Sequence, residues 1–305
     1  MSENAMLSLF AQAVPMQRLC CNAVMAEYTT FRIGGAADLL AKPESAEEVA
    51  ALVRTAKENG IPFYIIGNGS NILVKDGGIR GIVILIRSSM SRVLVDDCTV
   101  YAQAGVTMGA LALRLASAGL EGFEFASGIP GCLGGGIYMN AGAYNGEVGD
   151  LVKSVTILNE QGEIETLTHE QMDFSYRHSA VTGRDIAVLE AVLELKKGDP
   201  AQIMANIQDY SRRRRERQPL AYPSAGSMFK RPEGAYAAAL IDQAHMKGVC
   251  VGAAQVSQKH AGFFINRGGA TAKEMLELVE YVKLAVFADS GIVLQPEVRI
   301  LGEDS

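Results

Sequence analysis

The sequence predicts an α+β protein with two glycine-loop units and a third α+β segment. Three observations support this class. A strand, a helix and a second strand follow one another within residues 37–66, glycine-rich stretches occupy 67–71 and 128–146, and the last third alternates helices with short strands. At 305 residues, 49% hydrophobic and 20% charged, the chain has enough apolar material for two or three domains. We place the domain boundaries at 1–88, 89–200 and 201–305.

The elements of the first unit have clear start and stop signals. The apolar run Ala37–Ala41 predicts a strand. Ser45, followed by an acidic first turn, predicts the cap of a helix whose apolar residues recur at helical spacing until Asn59-Gly60 ends it. Phe63–Ile66 is aromatic and β-branched, so it predicts a buried strand.

The stretch Gly67–Asn71 (Gly-Asn-Gly-Ser-Asn) follows that strand directly. A Gly-x-Gly after a strand invites a dinucleotide-fold interpretation, but that fold requires the glycines to open a helix. Here they lead into Ile72–Val74, which predicts another strand. The stretch is therefore better interpreted as a loop that holds phosphate between strands.

The second unit combines short strands with one helix. Its predicted elements are strands at 93–95, 99–101, 152–158, 164–167 and 185–195 and a helix at 108–118.

The segment Gly128–Gly146 contains seven glycines and is too long for a simple turn. Bare backbone of this kind leaves peptide N–H groups free for an oxyanion, and a pyrophosphate is the commonest ligand with that need. A flexible linker is the alternative, but linkers are rich in Ser and charge, whereas this segment carries Ile, Leu, Tyr and Met. We therefore predict a folded ligand loop.

The final third begins with a helix at 200–217 that carries the arginine run Arg212–Arg215 and Arg217. Such a run usually forms a solvated, salt-bridged face, and contact of one or two arginines with an anionic ligand is the alternative. Further predicted elements are helices at 235–244 and 271–287 and strands at 260–266 and 292–301, the last interrupted by Pro296.

Charge and hydropathy exclude some classes of protein. The net charge of −6 argues against a protein whose task is to grip nucleic acid. No run approaches a membrane span, since the longest candidate, residues 82–86, is strand-sized. Residues 5–14 resemble a short signal sequence, but the only early charge is Glu3 rather than Lys or Arg, so we predict an amphipathic helix.

The five cysteines are scattered and show no spacing typical of a zinc site or redox pair. We interpret them as free thiols in a reducing cytoplasm, and we predict no metal site. Cys132 lies inside the second glycine stretch, where a nucleophile is conceivable, but a small filler residue is favoured because no His is near it in sequence.

Three polar residues stand where an apolar or small residue would be structurally easier. Arg177 follows an aromatic pair in a short turn, with surface pairing to Asp173 as the alternative. Ser227 follows Gly226, which leaves its hydroxyl accessible, although a plain turn serine is also compatible with the local sequence. Glu297 lies in an apolar terminal stretch, where a carboxylate needs a partner or a raised pKa. Together these groups suit stabilisation and protonation of a carbanion next to a carboxylate.

A set of six motifs in this order carries a family resemblance. The motifs are Thr30–Gly35 (Thr-Phe-Arg-Ile-Gly-Gly), Gly67–Asn71, Gly128–Gly131 with Asn140–Tyr144, Tyr176-Arg177, Tyr222–Pro232 and Gln295–Glu297. Over residues 26–300 they closely resemble the UDP-N-acetylenolpyruvoylglucosamine reductase (UDP-N-acetylmuramate dehydrogenase) family. The short 224–232 segment with Arg231, and the absence of an inserted loop after Arg177, resemble the second (type II) form of that family.

The resemblance implies a two-lobed FAD-binding domain of the vanillyl-alcohol-oxidase (PCMH) type, formed by 1–88 and 89–200, and a C-terminal α+β substrate-binding domain, 201–305 with Glu297 on its final strand. It implies that NADPH reduces FAD, which then reduces UDP-N-acetylglucosamine enolpyruvate to UDP-N-acetylmuramate for bacterial peptidoglycan synthesis. Flavin N5 would give hydride to the β-carbon and Ser227 a proton to the α-carbon, with Arg177 and Glu297 on the carboxylate. A cytoplasmic monomer without nucleic-acid partner or membrane insertion is implied.

The resemblance also implies a set of binding residues. The expected FAD contacts are Thr30, Arg32, Ile66, Gly67, Asn68, Gly69, Ser70, Asn71, Gly128, Ile129, Pro130, Gly131, Gly134, Gly135, Asn140, Ala141 and Gly142. The expected substrate contacts are Tyr144, Tyr176, Lys230 and Arg231.

Two other classes stay open on sequence alone. A different flavoprotein oxidase on the same scaffold would use oxygen and usually a His or Cys that tethers the flavin, yet none of the four histidines lies in the glycine loops. A nonenzymatic nucleotide- or RNA-binding module centred on the arginine helix would be colourless, whereas a flavoprotein is yellow.

Overall fold

The computed structural model describes residues 2–304. Its helices are α1 (Glu3–Phe10), α2 (Ala46–Glu58), α3 (Met108–Ser117), α4 (Leu133–Tyr138), α5 (Pro200–Arg217), α6 (Ala237–Gln243) and α7 (Ala272–Ser290). Within residues 2–304, none of these helices combines the length and the apolar character that crossing a bilayer demands.

The strands are short and follow one another along the whole chain. They are β1 (Leu19–Val24), β2 (Ala36–Ala41), β3 (Phe63–Ile66), β4 (Ile72–Val74), β5 (Ile79–Leu85), β6 (Val93–Asp96), β7 (Thr99–Gln103), β8 (Leu120–Glu121), β9 (Gly142–Ala143), β10 (Gly146–Glu147), β11 (Val152–Leu158), β12 (Ile164–Thr168), β13 (Ala187–Glu194), β14 (Lys196–Lys197), β15 (Cys250–Val251), β16 (Ala254–Val256), β17 (Phe264–Asn266) and β18 (Arg299–Leu301).

The chain divides into two compact units. Unit 1 comprises the chain through Cys21, Leu39–Asn68 and Ile82–Arg213. Unit 2 comprises Asn22–Asp38, Gly69–Gly81 and the chain from Arg214 onward. The three boundaries inferred from the sequence stay a prediction, since this division follows spatial contacts and both units are discontinuous along the chain.

Unit 1 is built around a five-stranded antiparallel sheet in the order β12-β11-β13-β7-β6. Strands β3 and β5 pair in parallel, with Phe63 opposite Ile82 and Ile66 opposite Leu85, in a second sheet of order β1-β2-β5-β3. Apolar faces of α1, α2 and α3 join the unit's core, as the predicted helical spacing requires.

Unit 2 packs α6 and α7 with the antiparallel sheet β15-β16-β17. Strand β18 pairs in parallel with β4, so that Arg299 lies opposite Ile72. The buried side of α7, including Met275, Leu278 and Val282, forms much of this core. The long helix predicted at 271–287 is confirmed, and it extends to Ser290.

Two predicted strands are shorter than expected. Strand β17 begins at Phe264, because residues 260–263 form a turn in which the Phe263 N–H donates to the His260 carbonyl. Of the stretch 292–301, only β18 at its end is a strand. Pro296 has no N–H to donate to a ladder, and it forms an isolated bridge with Phe229 instead of continuing a strand.

The segment 128–146, predicted as a loop, contains regular structure. Helix α4 forms across its glycines, and β9 and β10 form a short hairpin after it. Glycine lowers helix propensity by about 1 kcal/mol per residue, so this helix depends on tertiary contacts that the sequence pattern does not reveal. The first of these contacts joins the Leu133 N–H to the Val106 carbonyl.

The arginine run on α5 is engaged in local ion pairs. Asp209 pairs with both Arg212 and Arg213, one turn further along the helix. The Arg214 Nε donates to the Gln218 side chain. These contacts agree with the salt-bridged helix face that composition favoured.

The amino terminus of α7 is capped more fully than the sequence indicates. Thr271 and Glu274 form a capping box. In addition, the carboxylate of Asp76 accepts from the N–H groups of Ala272 and Lys273, at 2.8 and 2.9 Å. Three N–H groups of the first turn, which no helix can satisfy internally, therefore have side-chain acceptors.

We expect Asp76→Ala to lower the free energy of unfolding by about 1–2 kcal/mol, because it removes an acceptor for two orphan N–H groups and a negative charge at the helix N-terminus. Urea unfolding followed by circular dichroism measures this. Asp289→Ala, which removes an exposed carboxylate near the other end of α7, is the matched control and should be neutral or slightly stabilising. Equal losses in both variants would contradict the capping role.

Candidate active-site loops

In unit 1, the loop after β3 contacts the second glycine stretch directly. Ile66 is buried at the end of β3. A side chain on Gly67 would come within 3.3 Å of the Cys132 Cβ, so glycine permits the close approach. The Asn68 amide donates to the Pro130 carbonyl. Two of the loops predicted to hold FAD are thus joined by a hydrogen bond.

The stretch 128–131 leads into α4 along the end of β7. The Met108 N–H donates to the Gly131 carbonyl at 3.0 Å, and the Gly134 N–H donates to the Ala104 carbonyl at 2.8 Å. A Cβ on Gly134 would lie 2.9 Å from the Ala104 Cβ, so this glycine is needed for packing. Ile129 is half-buried, while Pro130 is exposed.

Two observations test whether this region suits FAD. Gly135, in the first turn of α4, is exposed, and a Cβ built on it meets nothing within 4 Å. The Ser127 Oγ, immediately before Gly128, is buried and has no hydrogen-bond partner among the described residues. A buried hydroxyl without a partner costs about 1–3 kcal/mol, which a ligand atom could offset. The open space over Gly135 would let a ligand such as a diphosphate approach the backbone closely.

The geometry of Cys132 favours the filler interpretation. Its side chain is 2% exposed and packs against Gly67. Burial raises the pKa of this thiol, although the nearby charge of Arg87 acts in the opposite direction. A reactive cysteine needs a lowered pKa and access to solvent.

Asn140 serves as an internal brace. It is 2% exposed, and its amide group donates to the Glu147 carboxylate at 2.8 Å and to the Ser175 carbonyl at 3.0 Å. Its Oδ1 accepts from the Gly149 N–H at 2.8 Å. The side chain is therefore committed to protein contacts, and its neighbour Ala141 likewise donates its N–H to the Gly136 carbonyl.

Arg177 lies in a tight turn that this brace holds. Ser175 and His178 exchange backbone hydrogen bonds, and Arg177 between them has φ +54°, in the left-handed region. Its guanidinium donates to the Gly142 carbonyl at 3.4 Å and lies 4.9 Å from the centre of the Tyr176 ring. Such a backbone conformation is unfavourable for a non-glycine residue, and strained positions of this kind cluster at functional sites.

Tyr144 also has a left-handed backbone, with φ +51°. Its ring stacks on Tyr210 of α5 with centroids 4.2 Å apart, and its hydroxyl donates to the Tyr210 carbonyl. The residue is therefore fixed in unit 1 near the carboxyl half of α5.

In unit 2, Thr30 links two predicted motifs. Its N–H donates to the Gly69 carbonyl at 3.1 Å, and its hydroxyl donates to the Ser224 carbonyl at 2.7 Å. Arg32 has an exposed side chain and a left-handed backbone, and its carbonyl accepts from the Asn266 amide. Ser70 is half-buried beside Gly69.

The segments that carry Ser227 and Glu297 pair through backbone hydrogen bonds in unit 2. The Glu297 N–H donates to the carbonyl of Met228, the neighbour of Ser227, at 2.8 Å. Ser227 is exposed and follows Gly226, whose φ of +78° only glycine adopts without strain. Glu297 is half-buried. The predicted proton donor, Ser227, and the predicted carboxylate-binding residue, Glu297, thus lie on paired segments.

The remaining predicted residues of unit 2 surround this pair. Asn71 donates from its amide to the Glu297 carbonyl at 3.2 Å and accepts from the Arg299 N–H at 3.0 Å, so it holds the segment that carries Glu297. Lys230 donates its backbone N–H to the Gln295 carbonyl. The Arg231 guanidinium lies 4.0 Å from the ring centre of Tyr236.

The chain matches known families over most of its length. Residues 37–168 match an FAD binding domain model, and residues 218–301 match the model described as UDP-N-acetylenolpyruvoylglucosamine reductase, C-terminal domain. The UDP-N-acetylenolpyruvoylglucosamine reductase of Clostridium novyi is 46% identical over 93% of this chain and 92% of its own length. That of Lachnoclostridium phytofermentans is 42% identical over 98% of both chains.

The chain belongs to the UDP-N-acetylenolpyruvoylglucosamine reductase family.

Solved structures agree with this membership. The crystal structure of UDP-N-acetylenolpyruvylglucosamine reductase from Thermus caldophilus aligns with a TM-score of 0.78 at 32% identity, over 93% of this chain and 98% of that one. Phl p 4, a grass pollen allergen with glucose dehydrogenase activity, aligns with a TM-score of 0.51 at 14% identity, over 64% of this chain and 44% of that one, which shows the fold alone. The predicted α+β class, a PCMH-type FAD-binding domain with a C-terminal α+β domain, is confirmed.

Sequence reasoning missed two residues of this family member's loops. Arg87 donates to the Asn68 side chain, and Ser127 buries its hydroxyl beside Gly128. The sequence signal for Arg87 was its place directly after the apolar run 82–86, where a parallel strand ends. Ser127 had no distinguishing signal.

His260 supports the segment that contains Ser227 through a hydrogen bond with Gly262. Its Nδ1 accepts from the Gly262 N–H at 3.1 Å, and the Gly262 carbonyl accepts from the Met228 N–H at 2.9 Å. Burial lowers the pKa of His260, a backbone hydrogen bond opposes this, and the charge of Lys247 adds to the lowering, so the folded protein takes up a proton here less readily than the unfolded chain.

We expect stability to fall as the pH drops below about 6.5, the ordinary pKa of histidine, because the unfolded chain then takes up a proton that His260 in the folded protein resists. The slope from this group is at most about 1.4 kcal/mol per pH unit. Urea unfolding at pH 7.5 and 5.5 should show a smaller difference in His260→Asn, whose amide oxygen can replace Nδ1. His245→Asn, at an exposed left-handed position, is the control, and an equally small difference there would argue against His260.

Proposed function

We propose that this protein is a UDP-N-acetylmuramate dehydrogenase that uses FAD and NADPH to reduce UDP-N-acetylglucosamine enolpyruvate to UDP-N-acetylmuramate. The reaction serves bacterial peptidoglycan precursor synthesis in the cytoplasm. Family membership and the FAD binding domain match support the activity and the cofactor. The observation that supports the residue assignment is the backbone pairing that sets Glu297 opposite Met228, the neighbour of exposed Ser227.

When bound, FAD supplies a route for a hydride from NADPH to the β-carbon of the enolpyruvyl group. The substrate's α-carbon, which bears a carboxylate, then carries negative charge and must be protonated. Ser227 donates that proton from Oγ to the α-carbon. A serine hydroxyl is a weak acid in water, so it suits only a strongly basic acceptor such as this carbanion.

Arg177 and Glu297 bind the substrate carboxylate. A guanidinium offers a planar pair of donors that matches a carboxylate, and its charge stabilises the negative charge that develops beside it. Glu297 helps to hold and polarise the same carboxylate. The turn of Arg177 is held by Asn140, which keeps the guanidinium oriented before substrate arrives.

The glycine loops hold the FAD diphosphate. Gly67 and Asn68, the stretch 128–131 and the first turn of α4 contribute to this site, with the open space over Gly135 as support. We assign Thr30, Arg32, Gly69, Ser70, Asn71, Asn140, Ala141 and Gly142 to the cofactor environment, with Asn71 and Asn140 acting through the segments they brace. Lys230, Arg231, Tyr144 and Tyr176 face substrate.

Purified protein should be yellow, and heat denaturation should release FAD that chromatography identifies. Anaerobic NADPH should bleach the flavin absorbance, and the enolpyruvyl substrate should restore it. A colourless protein that takes up no FAD on reconstitution would overturn the proposed function.

We expect Ser227→Ala to leave flavin reduction by NADPH within about threefold of wild type and to slow reoxidation by the enolpyruvyl substrate about 10²–10⁴-fold, the usual contribution of a general acid. Stopped-flow absorbance separates the two half-reactions. Ser8→Ala, at an exposed position on α1, is the matched control and should change neither. Equal slowing of both half-reactions by Ser227→Ala would contradict its role as proton donor.

A further inference from the structure

Three segments of unit 1 meet at the carboxyl ends of β3 and β5. Because β3 and β5 are parallel, their carboxyl ends lie side by side, and the Ile86 N–H donates to the Ile66 carbonyl at 2.9 Å. The residues that follow are Gly67-Asn68 on one strand and Arg87 on the other. Cys132 packs against Gly67, since a Cβ built on Gly67 would come within 3.3 Å of the Cys132 Cβ.

A relay of two hydrogen bonds connects these segments. The Arg87 Nη2 donates to the Asn68 Oδ1, and the Asn68 Nδ2 donates to the Pro130 carbonyl. A guanidinium has only donors, so it fixes which end of the asparagine amide faces it. The NH₂ group must then point away from Arg87 and toward Pro130. Arg87 thereby sets the orientation through which Asn68 joins the two glycine loops.

The charge of Arg87 reaches the start of α4. It opposes the rise that burial imposes on the pKa of Cys132, the residue that precedes the helix. A positive charge therefore acts near the exposed first turn, where Gly135 leaves open space. A diphosphate carries two negative charges, so a positive charge at this position favours its binding.

We propose that Arg87 is a positioning residue for the diphosphate of the cofactor: it orients the Asn68 amide, which locks the loop after β3 to the stretch 128–131. This inference rests on the proposed function, since it takes FAD as the ligand of these loops. It adds a residue from outside both glycine stretches to the site.

The test measures FAD binding to apoprotein by quenching of flavin fluorescence. Arg87→Gln removes the charge and the guanidinium fork, and we expect it to raise the Kd about 10- to 100-fold, the usual effect of losing a hydrogen bond to a charged group. Arg87→Lys keeps the charge with a single ammonium and should raise the Kd about 3- to 10-fold. Arg92→Gln removes an exposed arginine from the same unit and should stay within about twofold of wild type.

A double-mutant cycle tests whether Arg87 acts through Asn68. If it does, Arg87→Gln combined with Asn68→Ala should weaken FAD binding no more than the weaker-binding single variant. Additive losses would overturn the positioning role. Increasing KCl should weaken FAD binding by wild type and Arg87→Lys with similar steepness and by Arg87→Gln less steeply, a difference that a merely structural role would not produce.

The remaining outcomes are also decisive. A Kd for Arg87→Gln within about threefold of wild type would overturn the inference while leaving the proposed function intact. If circular dichroism shows that Arg87→Gln does not fold, the inference is tested with Arg87→Lys and Asn68→Ala. Wild-type affinity for FAD in both of these variants would overturn the inference. Wild-type apoprotein that quenches no FAD fluorescence would instead refute the proposed function.

Discussion

The proposed proton-transfer chemistry depends on one constraint, the backbone pairing of the segment that carries Ser227. On one side Ser227 bridges to Phe263, and on the other Phe229 bridges to Pro296. The segment therefore runs between two others like the middle strand of a small sheet, although it is too irregular to be assigned as a strand. These backbone hydrogen bonds set Glu297 opposite Met228, so the segments that carry Ser227 and Glu297 lie side by side.

Asparagine side chains supply a second layer of constraint within each unit. In unit 1, Asn140 joins the hairpin after α4 to the turn of Arg177. In unit 2, Asn71 holds the segment of Glu297, and Asn266 donates to the Phe31 and Arg32 carbonyls. Irregular loops leave backbone groups without ladder partners, and an amide that both donates and accepts can satisfy several at once. Residues that resemble ligand contacts in a motif thus serve first as braces.

The sequence predicted elements wherever local chemistry decides the structure. Ser45 and Thr271 cap helices α2 and α7 as expected, and α5 has the predicted bounds. Prediction from the sequence failed where contacts between residues far apart in the chain determine the structure. The apolar stretch before Pro296 has the composition of a strand, yet proline interrupts its ladder, and its partner Phe229 lies 67 positions away in sequence. Helix α4 forms from glycines that propensity alone would exclude.

The candidate site divides in the same way. Motif residues such as Ser227 and Glu297 could be named from the sequence because their residue types are unusual in their surroundings. Arg87 could not, because its relation to Asn68 follows from the parallel pairing of β3 with β5, which no local pattern reveals. The sequence shows only that Arg87 follows the apolar run 82–86, and not that it orients another side chain. Only the topology shows which residues it can reach.

The three consecutive glycines of α4 illustrate how packing separates structural from ligand-related positions. A side chain on Gly134 would crowd Ala104, and one on Gly136 would approach the Met108 sulfur within 3.1 Å, so the protein itself requires both glycines. Gly135 has no such neighbour. An alanine there would stabilise the helix by about 0.5–1 kcal/mol. The proposed diphosphate site over the first turn of α4 would account for such a glycine, because a ligand there needs close access to the backbone.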